Sequence, residues 1–162
     1  LVEMENIKRK KEAGLTLPEL LIVAIVIGIL AAIAIPLLLG SKRGVEQKLA
    51  VAQLADFKRA QTAYKDDLNN PAYATLQQLR NTSPGGNPLI DPLMVNPDGT
   101  GRDYKGWTVE QIQAPTASTF ALKLMPSAGN PADYSFFIYE DGVVRRTALT
   151  GPWTRGTGTI VE

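Results

Sequence analysis

The stretch from Gly14 to Gly40, GLTLPELLIVAIVIGILAAIAIPLLLG, decides the fold. From Leu20 to Leu39 it is apolar throughout, apart from the small Gly28 and the helix-breaking Pro36. At a helical rise of about 1.5 Å per residue the run spans about 30 Å, the thickness of one bilayer hydrocarbon core. Ahead of it stands the basic run Lys8-Arg9-Lys10-Lys11, the kind of flank that stays cytoplasmic while the chain beyond it is translocated. A secretory signal would have a shorter apolar region, discarded at a small-residue cleavage site behind it. Here the run is too long, and the carboxylate of Glu19 sits at its very start. The expectation is one membrane-spanning helix that is kept, with the rest of the chain facing outward.

Composition narrows what that outward part does. A chain of 162 residues has room for one domain with its own core once a membrane segment is subtracted. Its 17 Lys+Arg against 16 Asp+Glu leave a formal charge of +1, so no overall field favours nucleic acid. With no cysteine and no histidine there is no disulfide framework, no Cys/His zinc site, no thiol nucleophile and no Ser-His-Asp triad. Leu1 is not a methionine, so the chain is read either from a non-standard start codon or from Met4.

The motif Gly14-Leu15-Thr16-Leu17-Pro18-Glu19, followed at once by the apolar span, resembles the prepilin peptidase site of type IV pilins and of the pseudopilins of type II secretion. The resemblance implies a leader, residues 1–14, removed between Gly14 and Leu15, followed by N-methylation of Leu15. That family usually has Phe where Leu15 stands and a branched aliphatic residue where Pro18 stands. Glycine presents no side chain to a protease that takes the chain extended, Thr16 is a good helix N-cap, and Pro18 in the first turn costs no intrahelical hydrogen bond.

Glu19 carries the assembly expectation. A carboxylate at mid-membrane costs roughly 2.5–3.5 kcal/mol on insertion scales, less near an edge, so it needs a partner. The resemblance implies one: the new α-amino group of Leu15, on the same or a neighbouring subunit, whose ordinary pKa of about 7.7–8.0 lets it carry the matching charge. The blander reading leaves Glu19 among lipid headgroups, favouring the helix N-terminus through the dipole. Gly28 and Pro36 match the family's glycine and proline that bracket a segment able to lose its hydrogen bonds on assembly; a simple transmembrane kink is the alternative.

Beyond the membrane segment (15–40), Ala50, Leu54, Phe57, Gln61, Tyr64 and Leu68 recur at spacings of four and three, one stripe of an amphipathic continuation over 41–68. The helix is predicted to run to about Leu68, before Asn69-Asn70-Pro71, and the stripe to be core rather than an aromatic electron path. A head over 69–162 follows. It begins with a short helix capped by Thr75 and a loop-rich stretch from Ser83 to Gly106. Strands are predicted at Trp107 to Ile112, Thr119 to Met125 and Tyr134 to Tyr139. Asp141-Gly142 then signals a hairpin into Val143-Val144-Arg145, and the tail from Thr150 to Glu162 reads as loop or weak edge strand. The fold class is α+β: the resemblance implies a pilin fold, with a small antiparallel sheet across the long helix.

One run suggests a metal, Asn96-Pro97-Asp98-Gly99-Thr100-Gly101-Arg102-Asp103, since the major pseudopilins bind calcium in their heads. Against a calcium loop starting at Asn96, however, the bidentate glutamate position is Trp107. No catalytic residue, cofactor or metal ligand is expected, and the chain reads as an enzyme's substrate rather than an enzyme. The resemblance implies a structural subunit of a type IV pilus or pilus-like filament, polymerised through its N-terminal helix. Its partners would be other copies of itself, minor pilins, the prepilin peptidase/methyltransferase and an inner-membrane assembly platform. The precursor would sit in the bacterial inner membrane and the assembled form at the cell surface or in a periplasmic pseudopilus. The alternative is a type II secretion pseudopilin, which the poor calcium pattern disfavours. A rival of another class is a single-pass membrane-anchored ligand-binding protein that does not polymerise.

Overall fold

The computed structural model describes residues 14–81, 87–149 and 158–161. Residues 1–13 of the expected leader, residues 82–86 at the start of the loop-rich stretch, and residues 150–157 and 162 of the tail lie outside the described residues. The chain divides into two compact units, one ending at Leu39 and one beginning at Gly40.

Helix α1 covers Leu17–Thr62 without a break and contains both Gly28 and Pro36. The large apolar side chains of its first unit, from Leu20 to Leu39, each leave about half or more of their surface exposed, and α1 is long and apolar enough to cross a membrane. The expected weak stretch between Gly28 and Pro36 is helical here. Pro36 nonetheless lacks the N–H that would reach the carbonyl of Ala32, and a Cβ on Gly28 would meet nothing within 4 Å.

The stripe of the second unit is core: Ala50, Leu54 and Gln61 have no exposed surface, and Phe57 and Tyr64 are buried. The helix ends where expected, at Asp67, but its last turn is of another type. The α-helix stops at Thr62, and a π-helical turn, Ala63–Asp67, completes it. The Leu68 N–H donates to the Ala63 carbonyl and the Asn70 N–H to that of Lys65, while Asn69 takes the left-handed conformation at φ 51° that asparagine tolerates at a helix terminus.

Helix α2 (Leu76–Asn81) starts with a reciprocal cap: the Gln78 N–H donates to Thr75 Oγ1 and the Thr75 N–H to Gln78 Oε1, the capping-box arrangement. Six strands come next in an antiparallel meander, each bonded to its successor: β1 Asp103–Tyr104, β2 Trp107–Gln113, β3 Ala121–Pro126, β4 Tyr134–Tyr139, β5 Val144–Ala148 and β6 Thr159–Ile160. The short β1 falls in a stretch whose composition reads as loop, while β6 is the weak edge strand that the tail allowed. The β4–β5 turn places Gly142 at φ 76°, a conformation that glycine adopts without strain.

Alternation along the strands sends Trp107, Val109, Leu122, Leu124, Phe136 and Ile138 into the core shared with the helix stripe. Ala121, Phe137 and Tyr139 form a second buried cluster with Ile112, beside a shift of register between Gln111 and Gln113, the mark of a bulge. The fold is α+β and pilin-like, as expected.

Candidate functional site: the N-terminal motif and the head that carries it

Thr16 closes the start of α1. Its N–H donates to Glu19 Oε2 at 2.8 Å, its hydroxyl donates to the same oxygen at 2.7 Å, and the Glu19 N–H returns to Thr16 Oγ1 at 3.4 Å. This is a capping box in which Leu17, Pro18 and Glu19 form the first turn. Pro18 sits where an N–H would have no intrahelical acceptor, so it is accommodated without loss. In the uncut chain the Glu19 carboxylate is therefore turned back to the residue after Leu15. Cleavage between Gly14 and Leu15 would put a cationic amine one residue from atoms that this carboxylate already holds.

Gly14 and Leu15 are exposed, Leu15 by 70%. A Cβ at Gly14 would meet nothing within 4 Å, and its φ is not in the left-handed region. Nothing in the fold requires glycine there. The structure thus brings Thr16 and Glu19 together and leaves Gly14 and Leu15 accessible; Gly28 and Pro36 lie further along the same exposed helix.

The head is tied to the second half of α1 by polar links that sequence reasoning missed. Glu46 Oε2 accepts from Trp107 Nε1 at 3.2 Å and from Asn130 Nδ2 at 3.4 Å. Gln61 lies fully buried and pairs with the backbone of Ala74, donating to its carbonyl at 2.8 Å and accepting from its N–H at 2.7 Å. Arg43 reaches Asp133 at 3.2 Å. The polar Gln61 on an otherwise apolar stripe was the one available signal; the others join residues 61 to 90 positions apart, a separation that local pattern does not register.

The run from Asn96 to Asp103 is a turn that satisfies itself. Asp98 Oδ1 accepts from the N–H and the hydroxyl of Thr100, and the Asn96 side chain donates to Thr100 Oγ1. These bonds hold the Asp98 carboxyl below its ordinary range, the Thr100 hydroxyl first. No group of three or more acidic, His or Cys residues suited to a metal occurs among the described residues. Two grooves open on the head. One of about 650 Å³ runs between α1 and the segment Pro88–Met94; the other, about 560 Å³, lies between α1 and β5–β6. Both are mainly apolar, and neither gathers an acid, a base and a nucleophile.

A capped apolar helix preceded by an accessible glycine, and continued into a head built on its second half, fits a class, the type IV pilin and type II secretion pseudopilin family of structural subunits, and the comparisons support that family. The family model described as the prokaryotic N-terminal methylation motif matches residues 9–35. Among curated proteins, the chain is similar to type II secretion system core protein G of Klebsiella pneumoniae, 28% identical over 147 residues, 91% of this chain and 98% of that protein. It is likewise similar to the proteins of that name from Dickeya chrysanthemi, 25% identical over 92% of this chain and 91% of the relative, and Escherichia coli, 33% identical over 53% and 57%. No solved structure matches. These relatives favour the pseudopilin alternative over the surface-pilus reading that the sequence puts first, although the calcium pattern points the other way.

Proposed function

We propose that the chain is a pseudopilin of a type II secretion system: a subunit inserted in the inner membrane, cut after Gly14, methylated on Leu15 and polymerised through the exposed apolar half of α1. The observation that carries this reading is the near end-to-end similarity to proteins named type II secretion system core protein G, joined to a methylation-motif match over residues 9–35, the stretch that includes Gly14, Leu15 and Glu19. The geometry supports the order of events. Before cleavage Glu19 is occupied with Thr16; the new amine of Leu15, on its own or a neighbouring copy, offers that carboxylate a charged partner in a water-poor helix bundle, where such a pair counts for more than at a surface. Exposed side chains from Leu20 to Leu39 give neighbouring copies the apolar surface to pack. Partners are therefore other copies of the chain, the peptidase/methyltransferase and the assembly platform.

Two measurements test it. Mass spectrometry of the mature protein should find N-methyl-leucine at Leu15; an intact leader, or a cut beyond Leu39, would remove the filament reading in favour of a fixed anchor or a cleaved signal. Deleting the gene should abolish release of the secretion system's exoproteins while leaving surface pili in place. Loss of surface pili with secretion intact would return the chain to the pilus subunits.

A further inference from the structure

The groove between α1 and β5–β6 is walled by Val51 and Ala55 of the helix and by Ile160 and Val161 at the end of the sheet. Ile160 is 58% exposed. Two cations, Lys48 and Arg146, line the same groove, and the Arg146 guanidinium is held over the Tyr134 ring, 4.8 Å from its centre. An occupant that suits these walls carries an apolar side chain next to a carboxylate.

The head itself presents such a feature elsewhere. In the turn Asp91-Pro92-Leu93 the Leu93 side chain is 56% exposed, one of few large apolar side chains on the described head left so open. The turn is rigidly made: Asp91 Oδ1 accepts from the Leu93 N–H at 2.9 Å, Oδ2 accepts from the Tyr104 hydroxyl at 2.9 Å, and the Asp91 carbonyl accepts from the Met94 N–H at 3.0 Å. The Leu93 N–H, foremost, and the Tyr104 hydroxyl hold the Asp91 carboxyl below its ordinary range, so it stays anionic at neutral pH. A fixed anionic apolar knob costs little ordering entropy when it docks.

We infer that the Asp91–Leu93 turn of one copy seats in the Val51–Ile160 groove of the next, with its carboxylate toward Lys48 and Arg146. Knob and groove share no residue, so the contact is heterologous, each copy offering one half and receiving the other; repeated with a rotation that does not close, it yields an open helical polymer rather than a dimer. Complementary charge fixes orientation and register, something that a bundle of apolar helices, alike along its length, specifies poorly. The inference rests on the polymerising reading above and adds the head contact to it.

Cysteine bridging tests it cleanly, because the chain has no cysteine of its own. In a host carrying the secretion apparatus, a chain with Leu93→Cys is produced together with a longer, tagged chain with Ile160→Cys, so that any mixed disulfide joins two copies. Filaments released from the cell envelope should contain the mixed dimer after mild oxidation, and should lack it when Ala128→Cys, an exposed turn position away from the groove, replaces Ile160→Cys. Lys48→Glu, an exposed change, should lower filament yield about tenfold, the size of a modest interface contact. Filaments that form without the mixed dimer overturn the head contact and leave the filament reading standing. No filaments at all from the natural chain, with its leader intact, overturn both.

Discussion

Gly14 and Gln61 show two different reasons for a residue to be where it is. A Cβ on Gly14 would touch nothing and its backbone is ordinary, so the fold itself sets no requirement for glycine there. Gly14→Val is expected to block removal of the leader, read as a precursor-sized band, while the thermal midpoint of the head is unchanged; a parallel loss of head stability would mean that the glycine serves folding after all. Gln61 is the opposite case, since its amide satisfies both backbone groups of Ala74 inside the core. Gln61→Leu keeps the volume but orphans a buried N–H and C=O, and should cost about 3 kcal/mol in urea unfolding. Glu19→Ala should still be inserted and cut but enter filaments poorly; normal filament yield from that variant would leave Glu19 only its helix cap.

At the scale of elements, the sheet depends on close passages between backbones. Gly101 pairs with Val95 in a lone bridge, and a Cβ there would fall 1.7 Å from the carbonyl oxygen of Val109 in β2, so Gly101→Ala must push the loop off the sheet and should lower the melting temperature by about ten degrees. The β4–β5 turn carries a pH dependence. Arg145 grips Asp141 with two guanidinium nitrogens, at 2.7 and 3.3 Å, and that hydrogen bonding, foremost, holds the Asp141 carboxyl below its ordinary value of 3.8. A carboxyl depressed in the folded state takes its proton first in the unfolded chain. Its stabilisation is therefore full above the ordinary value and is lost as pH falls below it through the folded one. Denaturation profiles from about pH 6 downward, through the ordinary carboxylate range, should show a shallower acid limb for Asp141→Asn; an identical limb would mean the pair contributes nothing. For α1, Pro36→Ala restores a donor to the Ala32 carbonyl, and should slow hydrogen exchange in that turn of the detergent-solubilised chain by about a hundredfold, in keeping with a proline penalty near 3 kcal/mol.

At the scale of the whole molecule, the two units answer to different solvents. Among the described residues, the second unit buries most of its large apolar side chains in its own core, whereas the first leaves them bare, a pattern that fits a helix long and apolar enough to cross a membrane. Much of this was legible in the chain: the span by its length and lack of charge, the stripe by its spacing, the β4–β5 hairpin by Asp-Gly. The strands were placed to within a residue or two because β-branched and aromatic runs between turn residues leave few alternatives. The ends resisted. The shift from α- to π-helix after Thr62 leaves no mark in the spacing of the stripe, and β1, two residues long, is defined only by the strand it pairs with.

What the sequence determined alone is the motif at Gly14 to Glu19, the helix behind it and the class of protein these imply, because all rest on local chemistry: a glycine ahead of the helix, a capping Thr16 and an unbroken apolar run. What the tertiary structure decided is how the head is held and what it presents. Glu46 meeting Trp107, Gln61 gripping Ala74, and a cationic groove assembled from Lys48, Arg146 and Ile160 unite residues that lie far apart along the chain. Only the closing of the sheet onto the helix brings such groups within reach of one another, and no periodicity along the chain encodes that distance.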